Sequence, residues 1–305
     1  VTDPDAAARP SLAGQRLGLI GLGLMGRPMA RHLKAAGATV TVHNRSPGPV
    51  AALVAAGCAA AQTPAAVAAA ADVIVLMVTD TPAVEAVVGG PDGLLAALRP
   101  GTVIVDMGTT AVLETRALAE RVGAAGGAWV DAPVSGGQAG AEAADLTIMA
   151  GGTAADVARV RPVLAVLGRH LTHVGGVGAG QVAKAANQVI VGLTIGAVAE
   201  GLALARRAGV DPARVREALM GGFAASRILE VHGRRMVEGA FTPGGRATTQ
   251  RKDMDQALAL AAALDLDLPA TALNRALYDR LIAAGDGALD HAALIRVLDP
   301  DPQAG

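Results

Sequence analysis

Three glycines, Gly21, Gly23 and Gly26, stand in "LGLIGLGLMGRPMARHL" straight after a short apolar run and straight before a helical pattern; no other feature limits the fold of this 305-residue chain so closely. Leu17 to Ile20 reads as a short buried strand, while Met25, Met29, Ala30 and Leu33 recur at helix spacing. The segment is therefore a strand, a tight turn and a helix that packs back on a sheet. Gly21 permits the turn, Gly23 lets backbone approach a pyrophosphate with no Cβ in the way, and Gly26 lets the helix lie close to the strand. Free N–H groups at the helix start would face such an anion. A purely structural glycine turn gives the same pattern in a chain with 39 glycines.

An acidic residue about 20 positions downstream would bind the ribose 2′-hydroxyl of NAD. Here the second strand, in "ATVTVHNRSPG", runs out into His43, Asn44, Arg45 and Ser46, with no acid. A guanidinium makes paired charge-assisted bonds to a 2′-phosphate, with a hydroxyl beside it as a further donor. The loop points to NADP rather than NAD, the other reading being an arginine that merely solvates a turn.

Short Val/Ile/Leu-rich runs then alternate with Ala-rich helical stretches: "DVIVLMV", "GTVIVDM", "AWVDAPV", "LTIMAGG" and "HLTHVG". Such alternation predicts crossover units and a mostly parallel sheet. Cofactor contacts come from the carboxyl ends of such strands, which nominates Val78, Thr79 and the "DMGTT" loop at Thr109. Beyond "VGGVGAGQ" the character changes. Residues 180–207 read as one helix of about 28 residues, roughly 42 Å long, followed by helices broken at "GVDP", "FTPGG", "DLPA" and "GDG". A sheet domain followed by an all-helical one predicts a cleft, where ligand sites are favoured.

Composition bounds the partners. A net charge of −1 and 1% aromatic content give no basic stripe and almost nothing on which bases could stack, which argues against nucleic acid. Cys58 is the only cysteine, so an internal disulfide and a cysteine-rich metal site are excluded, and a reducing compartment fits. The first 14 residues lack the apolar core of a signal peptide and read as a loose extension. The apolar run Val189 to Ala199 is shorter than the ~20 residues that span a bilayer. A cytoplasmic protein without membrane contact is expected.

Three further stretches carry candidate chemistry. In "DAPVSGG", Ser135 offers a hydroxyl and Gly136 and Gly137 offer unobstructed N–H groups, a cradle for a small carboxylate, although a plain strand exit reads the same way. In "QVAKAANQ", Lys184, Asn187 and Gln188 share one helix face amid Ala, Val and Gly. A lysine in such company is either a placed proton donor or a side chain that snorkels to water. In "TTQRKDM", Lys252 and Asp253 open another helix, where a cation suits an anionic ligand; solvated surface is the plainer reading.

The ordered motifs "GLGLMGRPMA", "DAPVSGG", "LTIMAGG", "GAGQVAKAANQVIVG" and "RKDM" resemble the β-hydroxyacid dehydrogenases, the group of 3-hydroxyisobutyrate dehydrogenase and tartronate semialdehyde reductase, from about Leu17 to Leu298. The resemblance implies an α/β Rossmann domain at 15–177, a linking helix at 178–207 and an all-α domain of the 6-phosphogluconate dehydrogenase type at 208–305, through which two or four copies assemble. It implies dinucleotide binding by Gly21, Leu22, Gly23, Leu24, Met25 and Gly26, with Thr109 near the nicotinamide. Ser135, Gly136 and Gly137 would hold the substrate carboxylate. Lys184 would be the acid/base, Asn187 and Gln188 would lie at the substrate, and Lys252 would close over cofactor and substrate.

Three departures bear on substrate identity. Gln188 replaces the second of two asparagines often found, the form that resembles tartronate semialdehyde reductases; Ala144 replaces a glycine two residues before "LT"; and Gly245 and Arg246 stand where a second phenylalanine often follows the one matching Phe241. The expected reaction is metal-free hydride transfer between a small β-hydroxyacid and its semialdehyde. An imine reductase is a rival on the same architecture, which the retained Lys184 argues against. A non-enzymatic NADP-binding scaffold needs the glycine loop but not the lysine.

Overall fold

The computed structural model describes residues 9–300. The described residues form two compact units that divide between Lys184 and Ala185. In the first, strands and helices alternate: β1 (Arg16–Ile20), α1 (Gly26–Ala35), β2 (Thr39–His43), α2 (Gly48–Ala55), β3 (Ala59–Ala60), α3 (Pro64–Ala70), β4 (Val73–Leu76), α4 (Thr81–Gly89), β5 (Val103–Asp106), α5 (Val112–Ala124), β6 (Ala128–Asp131), β7 (Val134–Ser135), α6 (Gly137–Ala143), β8 (Leu146–Gly151), α7 (Ala154–Leu167) and β9 (Gly168–Gly175).

The sheet order is β3-β2-β1-β4-β5-β6-β8-β7, with β9 beside β8. Strands β1 to β6 pair in parallel. They are short and apolar because helices cover both faces. Side chains alternate between two cores: Leu19, Val75 and Val105 meet Met29 and Leu33 of α1 on one face, whereas Ile20, Ile74 and Ile104 meet Val67 of α3 and Leu118 of α5 on the other. This is the Rossmann-type layout expected, with an antiparallel corner.

That corner arises where "AWVDAPV", read above as one strand, divides. Ala132 still donates to the Asp106 carbonyl at 2.7 Å, but Pro133 has no N–H to continue the ladder. The chain bends, and β7 pairs antiparallel with β8. The expected loose extension also differs from its reading. Its first eight residues lie outside the described ones, but Leu12 is fully buried and its N–H donates to the Ala36 carbonyl at 2.8 Å.

Helix α8 (Ala179–Arg207) has 29 residues, and the boundary between the units falls within it. It is long and apolar enough to cross a membrane by length and composition. Its Ile195, Ala199 and Leu202 are nevertheless core residues of the helical unit, with Met254, Tyr278 and Leu281. Beyond it come α9 (Pro212–Leu219), α10 (Arg227–Glu238), α11 (Ala247–Ala263), α12 (Pro269–Ala283) and α13 (Ile295–Leu298). Lys252 does not open a helix as expected: α11 begins five residues earlier, at Ala247, so Lys252 lies in its second turn.

Candidate functional site

The three loop glycines are there for different reasons. Gly21 has φ +98°, and a Cβ on it would collide with the Met77 carbonyl; a Cβ on Gly26 would collide with the Gly21 carbonyl. A Cβ on Gly23 would meet nothing within 4 Å. The fold thus requires Gly21 and Gly26 but leaves the space over Gly23 open, as a pyrophosphate approaching the backbone would need. Leu22 is buried, Leu24 is exposed and Met25 immediately precedes α1.

The loop after β2 is tied to this turn. Asn44 Oδ1 accepts from the Leu22 N–H at 2.9 Å, and Asn44 Nδ2 donates to the Ser46 carbonyl at 2.9 Å. Asn44 therefore holds both loops together. Arg45 and Ser46 are exposed. Of the next strand-end pair, Val78 is partly buried and Thr79 is exposed, donating to Asp80 at 3.1 Å.

At the carboxyl ends of β5 and β6, two fully buried aspartates organise the backbone. Asp106 accepts from the Gly108 N–H at 3.0 Å and the Thr110 hydroxyl at 2.8 Å, shaping the loop that carries Thr109. Asp131 accepts from the N–H groups of Gly178 at 2.7 Å and Gln181 at 2.9 Å, anchoring the start of α8. Burial pushes the Asp131 carboxyl up, and these N–H groups only partly counter it. Both aspartates end apolar strands, and a buried charge needing partners was a signal the sequence offered.

Anchored in this way, Lys184 is only 7% exposed and its Nζ donates to the Val134 carbonyl at 2.9 Å. Val134 precedes Ser135, Gly136 and Gly137, and the two glycines have φ +131° and +59°. The structure thus brings Lys184 to the "DAPVSGG" turn, 50 residues away in sequence.

In the helical unit, Asn187 Nδ2 donates to Gln188 Oε1 at 2.7 Å, and Gln188 Nε2 donates to Asp253 Oδ2 at 2.5 Å. Asp253 is paired with the Lys252 ammonium at 2.9 Å. Gln188, expected at the substrate, has its amide bonded to Asn187 and Asp253 and is 7% exposed. It orients Asn187 because its side chain is one methylene longer than that of asparagine and reaches Asp253.

His232, Asp290 and His291, which no sequence pattern marks, converge with their potential ligand atoms within 4.8 Å of one another. Asp290 is already occupied by Arg235 at 2.7 Å, Gly244 N–H at 2.8 Å and Ala292 N–H at 3.1 Å. The cluster is therefore read as a structural hub that fastens the turn before α11.

Residues 16–175 match the NAD binding domain of 6-phosphogluconate dehydrogenase, and residues 178–298 match the NAD-binding domain of NADP-dependent 3-hydroxyisobutyrate dehydrogenase. The chain is 48% identical to the 2-hydroxy-3-oxopropionate reductase of Escherichia coli, over 93% of this chain and 97% of that one. It is 35% identical to the 3-hydroxyisobutyrate dehydrogenase of Pseudomonas aeruginosa, over 86% and 90%. A structure of Mycobacterium tuberculosis 3-hydroxyisobutyrate dehydrogenase with L-serine superposes with a TM-score of 0.85 at 30% identity, covering 93% of this chain and 99% of that one. With an open glycine loop, a buried lysine beside a Ser-Gly-Gly turn and likeness along both units, the chain belongs to the β-hydroxyacid dehydrogenase family of NAD(P)-dependent oxidoreductases, which interconvert hydroxyacids and semialdehydes.

Proposed function

We propose that this enzyme reduces 2-hydroxy-3-oxopropionate (tartronate semialdehyde) with NADPH, and catalyses the reverse oxidation, with Lys184 as the acid/base. The observation that carries this reading is the burial of Lys184 with its ammonium on the Val134 carbonyl, next to Ser135. Gln188 and the 48% identity to the E. coli reductase support this substrate over 3-hydroxyisobutyrate.

When bound, the nicotinamide supplies the hydride. Lys184 has three N–H donors, so a bond to Val134 is compatible with another to a substrate oxygen. It gives a proton to the nascent alkoxide in reduction and takes one from the alcohol in oxidation. The Ser135 hydroxyl and the N–H groups of Gly136 and Gly137 hold the carboxylate. Asn187 orients the substrate, while Lys252, held by Asp253, supplies a cation to the anionic ligands. The turn built on Gly21, Gly23 and Gly26 would hold the pyrophosphate, with Gly23 leaving room for its approach, and Val78, Thr79 and Thr109 would line the nicotinamide side.

Arg45 and Ser46 support NADP(H) over NAD(H): a charge-assisted contact to the 2′-phosphate is worth about 1.5–3 kcal/mol, roughly 10- to 150-fold in preference. Arg45→Asp should erase it, whereas equal kcat/KM for both cofactors in the unchanged protein would refute it. Exposed Ile190, Leu204, Leu264, Leu266 and Leu273 support assembly of two or four copies through the helical unit, which light scattering would measure.

The decisive experiment is a panel of semialdehydes, hydroxyacids and a cyclic imine with both cofactors, run beside Lys184→Ala. Turnover of tartronate semialdehyde should fall about 100- to 10,000-fold in the variant with NADPH affinity intact. A loss below about threefold removes Lys184 from the mechanism. NADPH binding without turnover of any member would instead favour the scaffold, and turnover of the imine alone an imine reductase.

A further inference from the structure

Gln181 plays no part in the chemistry above, yet both ends of its side-chain amide and its backbone N–H are bonded. It is 2% exposed, in the first turn of α8. Its Oε1 accepts from the Thr110 N–H at 3.1 Å and its Nε2 donates to the Gly108 carbonyl at 3.0 Å. One amide therefore grips the two residues on either side of Thr109. The Gln181 backbone N–H is fixed in turn by Asp131 at 2.9 Å.

Lys184 lies three residues further on, on the same helical face. From this geometry we infer that Gln181 is a positioning residue that holds the Thr109 loop in register with Lys184. The inference rests on the proposed roles of Lys184 and Thr109. Hydride transfer and proton transfer act on the same carbonyl group, so the loop and the lysine must keep a fixed separation; a displacement of ~1 Å between such groups costs about 100-fold in rate. The amide offers an acceptor and a donor in one planar fork at neutral pH, matched here to an N–H and a carbonyl two residues apart. Glutamate would present two oxygens, one of them facing the Gly108 carbonyl, and methionine would fill the volume with neither bond.

The test uses the full chain with Gln181→Met and Gln181→Glu. In cofactor-free protein, amide hydrogen exchange at Thr110 should quicken by about tenfold or more in Gln181→Met. The Gln181 amide, bonded to Asp131, should stay protected. With substrate, kcat should fall about 30- to 100-fold while the Kd for NADPH changes less than about threefold. Gln181→Glu keeps the acceptor for Thr110 but sets an oxygen against the Gly108 carbonyl, so Thr110 should stay better protected than in Gln181→Met while kcat still falls with the Kd for NADPH unchanged; it also serves if Gln181→Met does not fold.

Unchanged Thr110 exchange in Gln181→Met, or faster exchange with kcat intact, overturns the inference. So does a lowered melting temperature with full turnover in both variants, because that is the signature of a purely structural role. Absence of turnover by the unchanged protein across the whole panel defeats the proposed function instead, and unaltered exchange at Thr110 would then separately defeat the clamp.

Discussion

Asp131 in the sheet unit and Asp290 in the helical unit are both fully buried, yet their carboxyls shift in opposite directions. Burial pushes each of them up. At Asp131 the opposing partners are uncharged N–H groups, chiefly those of Gly178 and Gln181, and burial wins. At Asp290 the facing His232, the charge of His291 and the N–H groups of Ala292 and Gly244 together exceed it, holding the carboxyl well below its ordinary range. Arg235, 2.7 Å from Asp290, adds a fixed positive charge. Equal burial therefore says little about a carboxylate until its partners are known. The uncharged set suits a clamp beside a reacting centre, since it adds no cation to compete for an anionic substrate.

Removing Asp290 should have the largest effect. Asp290→Ala strands Arg235 and several N–H groups and should cost about 3–5 kcal/mol in urea unfolding; a loss under about 1 kcal/mol would mean that the hub carries no weight. Asp131→Asn keeps one acceptor but turns an amide NH₂ toward an N–H donor, and should cost about 1–3 kcal/mol. It should also lower kcat, because Lys184 is mounted on the helix that Asp131 anchors.

Acidification should separate the two sites by sign. Asp290, depressed in the folded state, contributes stability that is complete above its unfolded value near 3.8 and is lost as pH falls toward its folded value. The advantage of the unchanged protein over Asp290→Asn should therefore shrink below about pH 4. Asp131, raised in the folded state, gains stability as pH falls through its folded value toward 3.8, so the advantage over Asp131→Asn should grow. Parallel pH profiles for the two variants would break the contrast.

The smallest effect compares helix ends. Helix α10 in the helical unit closes on Gly239 at φ +64°, whereas α6 in the sheet unit closes on Ala144 at φ +52°. A side chain in that left-handed region costs about 1–2 kcal/mol, part of which glycine returns as unfolded-state entropy. Ala144→Gly should stabilise by up to about 1 kcal/mol, read as a rise in Tm. No rise would mean that the surroundings of Ala144 relieve the strain.

What the sequence by itself determined is what local chemistry specifies. Period-two and period-3.6 patterns placed the alternating elements and a helix at 180–207 that spans 179–207, because side-chain direction follows directly from backbone repeat. The glycine turn was legible because positive φ and close backbone packing exclude other residues at Gly21 and Gly26. Lys184, Ser135 and Lys252 stood out by residue type, although their surroundings did not. Tertiary structure alone decided that Asp131 reaches Gly178, 47 residues on, and that Gln181 grips Gly108, 73 residues back. It also decided that Gln188 is bonded to Asp253, 65 residues on. Such partners are set by strand register and helix placement, which bring together groups distant in the chain, and no short stretch of residues encodes which carbonyl or N–H will lie within 3 Å of a buried amide or carboxylate.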